Sequence, residues 1–132
     1  MITSTTWTGA RTFKSEQRNA KIELDSDAGF SPKALLLTGL AGCSGVDVVE
    51  ILEKMRVPFA SLRIEAEADQ TDEPPKVFKD IHLKYILVME EEHRDKVQKA
   101  IDLSLEKYCG VAAMLKKNSG IDYTIEIQPE AV

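Results

Sequence analysis

The chain has 132 residues, 43% hydrophobic and 30% charged, enough for one globular domain and too apolar for a disordered one. Its 22 acidic and 17 basic residues are interspersed and leave a net charge of −5, so there is no basic stripe to track a phosphate backbone, and nucleic acid is not an expected partner. "MITSTTWTGARTFKSE" lacks the apolar stretch of a secretory signal, and no run of about 18 apolar residues stands out, so a cytoplasmic protein without a membrane partner is expected.

The first expected elements are two strands, "TTWTGARTF" and "AKIELD", paired around "KSEQRN". Ser31 and Pro32 then fit a helix N-cap and first helical position. The helix runs from Lys33 to about Met55 and stops before "RVPF". Leu35, Leu36, Leu37, Leu40, Val46, Val48, Val49, Ile51 and Leu52 make it apolar on most sides, the pattern of a buried helix. Within it Gly39, Gly42 and Gly45 surround Cys43, and each glycine costs about 1 kcal/mol relative to alanine. Two demands explain them: close approach of another backbone, or space left beside a thiol.

Three segments further on alternate with a period of two. Leu62, Ile64, Ala66 and Ala68 share one face of "SLRIEAEAD", and Ile81, Leu83, Tyr85 and Leu87 share one face of "DIHLKYILV". "QTDEPPK" between them predicts an antiparallel hairpin. The third segment, "GIDYTIEIQ", aligns Ile121, Tyr123, Ile125 and Ile127. Before it, Val97, Ile101, Leu105, Tyr108, Ala112 and Leu115 predict a second helix from about Glu91 to Asn118, which places Cys109 near its middle. The order predicts an α+β fold in a single domain over residues 1–132.

Two cysteines in a reducing compartment are more often buried or reactive than permanently bridged. Cys43 and Cys109 both sit among small residues, Cys109 being followed by Gly110, Ala112 and Ala113. Packing and redox chemistry remain the two readings of that setting. Asp47 and Glu106 stand one helical turn from the two thiols and would disfavour a thiolate if they face the sulfurs. His82 and His93 lie in different elements without a ligand spacing, so no metal is expected.

"SPKALLLTGLAGCSGVDVVEIL", "EPPKVFKDIHLKY" and "AIDLSLEKYCGVAAML", in this order, resemble the OsmC/Ohr family of organic hydroperoxide resistance proteins, closest to its OsmC-like branch. The resemblance implies an intertwined homodimer with antiparallel sheets, two long central helices and an active site at the subunit interface. It implies a thiol-dependent peroxidase without cofactor, with Cys43 as peroxidatic and Cys109 as resolving cysteine, an organic hydroperoxide as substrate and a dithiol as reductant. Arg11 is the candidate for the family's activating arginine, whereas the position of its usual glutamate is held here by Lys33. Phe78 and Tyr108 are candidates to line the pocket for the organic part of the substrate.

Overall fold

The computed structural model describes residues 1–130. The chain divides into two compact units, Met1–Thr38 and Gly39–Val132.

The first unit opens with β1 (Ser4–Gly9), β2 (Thr12–Gln17) and β3 (Ala20–Asp25), an antiparallel meander. "TTWTGARTF" is thus a hairpin by itself rather than one strand. Gly9 (φ 122°) and Ala10 (φ 44°) turn the chain back, and Trp7 Nε1 donates to the Ala10 carbonyl at 3.0 Å. Arg11 accordingly sits in the turn, not in a strand, and pairs with Asp27 at 3.4 Å. Trp7 faces Phe13, which also faces Leu24, so one apolar line crosses the sheet. As expected, the Ser31 hydroxyl accepts the Ala34 N–H, at 3.3 Å.

α1 (Ala34–Lys54) leads into the second unit. By length and composition it is apolar enough to cross a membrane, contrary to the expectation that no such stretch occurs. It is buried along one face only, not on most sides as its apolar pattern predicts: Leu36 and Val46 are 49% and 59% exposed. Leu40, Ser44, Val48 and Leu52, four residues apart, form a wholly buried stripe. α1 ends in a Schellman motif: Arg56 adopts φ 58°, its N–H donates to the Glu53 carbonyl, and the Val57 N–H donates to that of Leu52.

β4 (Ser61–Gln70) and β5 (Phe78–Val88) form the expected hairpin, and β6 (Ile121–Gln128) pairs with β5. That last pair is parallel, so the sheet is mixed where antiparallel pairing was expected. The helical crossover between β5 and β6 is what allows it. Ile81, Leu83, Tyr85 and Leu87 of β5 are at most 1% exposed, as their alternation predicts, and each contributes roughly 1.5–3 kcal/mol.

The second long helix is broken. After a 3₁₀ turn (Glu91–His93) come α2 (Arg94–Leu103), a π-helical turn (Ser104–Tyr108) and α3 (Gly110–Leu115). Cys109, expected in mid-helix, lies between the π turn and α3 with extended backbone (φ −76°, ψ 105°). The cause is local: the Cys109 N–H donates to the carbonyl of Ser104, five residues back, at 2.7 Å, which lets the chain leave the helix.

Candidate functional site

Cys43 and Cys109 are both free thiols, the first half-buried on α1 and the second 3% exposed. The fold makes them neighbours, close enough for Cys43 to oppose the ionisation of Cys109. Cys109 caps α3, its Sγ accepting the Ala112 N–H at 3.4 Å. Burial pushes the Cys109 thiol up to about 11, and the neighbouring Cys43 and the Asp47 carboxylate push the same way, against the opposing Ala112 N–H. Asp47 therefore acts as the sequence suggests for an acid facing a sulfur. Glu106 is exposed, and its charge bears on Tyr123.

Beside the thiols runs a buried chain of hydroxyls. The Ser44 Oγ and Tyr85 Oη are 2.6 Å apart, and the Ser104 Oγ lies 2.9 Å from Ser44 Oγ and 3.0 Å from Asp47 Oδ2. Burial raises the Tyr85 phenol to about 12 against the Ser44 hydrogen bond, so it stays protonated. Sequence reasoning missed this network. The signal was there: Ser44 holds a core position of the α1 stripe, and Ser104 follows Val97, Ala100 and Ile101 at core spacing. A polar residue kept at such a position needs a partner.

The three glycines separate into two roles. A Cβ on Gly45 would meet Ile64 Cδ1 of β4 at 3.2 Å, so Gly45 serves close packing of α1 on the sheet. Gly39 and Gly42 have open space around them. A cleft of about 630 Å³ adjoins the network, lined by Asp47, Ile51, Lys54, Lys99, Leu103 and Tyr108 among others. Tyr108 thus lies beside the site. Phe78 does not line that cleft; it begins β5, where its carbonyl accepts bonds from Asn118 and Ser119. His82 lies on the other side of its strand from the buried residues and bonds Asp122 at 2.7 Å and Thr124 at 3.2 Å. Among the described residues no three His, Cys, Asp or Glu side chains are grouped to hold a metal ion.

An α+β scaffold whose helices bring a half-buried and a buried thiol together defines a thiol-bearing protein of the OsmC class. A family model described as OsmC-like protein matches residues 24–124, and the chain belongs to that family. It is 34% identical over 125 residues to protein YhfA of Escherichia coli K12, covering 92% of this chain and 93% of YhfA. A hypothetical protein from Aquifex aeolicus is 31% identical and superposes with a TM-score of 0.82 over 96% of both chains. The organic hydroperoxide resistance protein OhrB of Bacillus subtilis shares the fold at 18% identity, with a TM-score of 0.63 over 97% of this chain and 98% of OhrB.

Proposed function

We propose that this protein is a thiol-dependent peroxidase that reduces organic hydroperoxides by a two-cysteine cycle in oxidative stress defence. The observation that carries the reading is the proximity of the half-buried Cys43 to the buried Cys109. The Cys43 thiolate attacks the terminal oxygen of ROOH, the O–O bond breaks, and the alcohol leaves with a proton, so that Cys43 becomes a sulfenic acid. Cys109 then attacks the Cys43 sulfur; its proton and the sulfenic oxygen depart as water, and a disulfide remains. A dithiol reductant reopens it by exchange. The chemistry calls on no metal or organic cofactor.

In this reading Arg11 supplies the positive charge that favours the Cys43 thiolate, and Tyr108, which lines the cleft beside Asp47, contacts the organic group of the substrate. The working form is a cytoplasmic homodimer. Leu36 and Val46 on α1, 49% and 59% exposed, are among the apolar residues that a second copy would cover.

The test is intact mass with thiol titration of the reduced protein after one equivalent of cumene hydroperoxide. Loss of both thiols with a two-hydrogen mass decrease, and one added oxygen on Cys109→Ser, is the expected result. Two unreacted thiols would refute the peroxidase. They would favour the second reading, a non-catalytic OsmC-like protein that binds a small molecule or senses redox change. The observation behind that alternative is the Asp47 carboxylate, which works against ionisation of Cys109, the thiol that would have to resolve the sulfenic acid.

A further inference from the structure

Ser104 is wholly buried, and three acceptors on α1 surround its hydroxyl: Ser44 Oγ at 2.9 Å, Asp47 Oδ2 at 3.0 Å and the Ser44 carbonyl at 3.5 Å. A serine hydroxyl carries one proton, so it can satisfy one of these at a time and is held whichever it chooses. Ser44 itself is anchored at 2.6 Å by Tyr85, at the centre of the sheet. The backbone of Ser104 faces the other way. Its carbonyl accepts the Cys109 N–H at 2.7 Å, the bond that closes the π turn and sends the chain out at Cys109.

These contacts make a short mechanical path. Cys43 is bonded to Ser44, Ser44 holds the side chain of Ser104, and the backbone of Ser104 holds Cys109. Every link is buried or half-buried. A packing role alone would be filled by alanine, which fits the core spacing and asks for no partner.

We propose that Ser104 is a positioning residue for disulfide closure, tying the backbone of Cys109 to the helix of Cys43 and so limiting how far the two sulfurs must move to join. The inference rests on the redox reading only in taking this closure to be the resolving step. In that step Cys109 sulfur donates an electron pair to Cys43 sulfur, the S–O bond of the sulfenic acid breaks, and the oxygen leaves as water with the Cys109 proton. Without the Ser104 hydroxyl, Asp47 can turn to solvent, since it is only half-buried, and the link to α1 is lost.

The experiment uses diamide, which oxidises neighbouring thiols directly and so does not depend on peroxidase activity. Reduced wild type, Ser104→Ala and Ser104→Thr are treated with diamide, quenched and counted for free thiols, and each is also equilibrated with reduced and oxidised dithiothreitol. Ser104→Ala is expected to close about tenfold more slowly and to shift the equilibrium toward the dithiol, because small displacements of reacting atoms cost rate steeply. Ser104→Thr, which keeps the hydroxyl, is expected to restore closure, with the Cys43 alkylation rate unchanged in all three. Closure of Ser104→Ala at the wild-type rate, or no rescue by Ser104→Thr, overturns the inference. If Ser104→Ala does not fold, Ser104→Val, which matches the shape of Ser104→Thr but lacks the hydroxyl, takes its place; closure as fast as in Ser104→Thr overturns it equally. Hydroperoxide added in parallel separates the two ideas. Inertness to it alongside Ser104-dependent closure by diamide removes the peroxidase and keeps the positioning role, whereas normal turnover by Ser104→Ala does the reverse.

Discussion

Cys43 neighbours Cys109 closely enough to oppose its ionisation, the first thiol half-buried and the second 3% exposed. The unequal exposure makes their reactivity unequal. Iodoacetamide at pH 8 is expected to modify Cys43 first and to leave Cys109 largely untouched. In Cys43→Ser the alkylation of Cys109 should rise about tenfold per pH unit toward its high pKa, since the thiolate is the reacting form. Peptide mass mapping against time checks both; equal rates at pH 8 would contradict the burial of Cys109.

Asp47 faces Cys109 with a negative charge while accepting the Ser104 hydroxyl at 3.0 Å. Asp47→Asn keeps an acceptor for Ser104 and removes the charge. The pKa of Cys109 should therefore fall, and its alkylation at pH 9 should quicken severalfold. A pH–rate profile that does not move would assign the raised pKa to burial alone.

Stability should decline in alkali in a defined window. Folding raises the Cys109 thiol from an ordinary value of about 9 to about 11, so the folded state favours the protonated form. The stabilisation is complete below pH 9 and is lost as the pH rises through 11, because the unfolded chain ionises first. Tyr85, raised from 10 to about 12, extends the loss upward. Urea midpoints at pH 7.5, 9 and 10.5 should fall in that order, with a shallower slope for Cys109→Ala; parallel slopes would remove Cys109 from the explanation.

The glycines of α1 give opposite expectations for one substitution. Gly42→Ala enters open space and should gain helix propensity of about 1 kcal/mol. Gly45→Ala presses on Ile64 at 3.2 Å and should return less, or a loss. Thermal melts of the two variants decide the order, and a Gly42→Ala melt below wild type would show that the space is occupied in the working assembly.

Arg56 holds a left-handed conformation at φ 58° and is exposed at the end of α1. Arg56→Gly removes the Cβ strain and should stabilise by about 1 kcal/mol. Denaturant midpoints would show it, and a lower midpoint would mean that the arginine side chain contributes more than its backbone costs.

Much of the fold was legible where its local signals are clean. Ile81, Leu83, Tyr85 and Leu87 alternate without interruption and are buried as a set, and the Ser31 cap stands where the sequence puts it. The misses share one cause: hydrogen bonds that spacing does not encode. The apolar pattern from Val97 to Leu115 is continuous, yet the chain switches to a π turn at Ser104 and leaves the helix at Cys109. "TGAR" gave only Gly9 as a hint of the hairpin, since Ala10 adopts a positive φ that its residue type disfavours. At the site the two cysteines were legible as a pair. Ser44, Ser104 and Tyr85 were not, because a hydroxyl in an apolar stripe shows its purpose only once its partner across the fold is known.

The π turn also constrains how this chain can change over evolutionary time. An α-helix advances about 100° per residue, so removing one residue between 104 and 108 would let the α2 ladder continue and swing everything after it by that angle. Cys109 would then point away from Cys43 with every other residue intact. A relative with both cysteines but one residue fewer in this turn would carry the familiar motif and lack the dithiol.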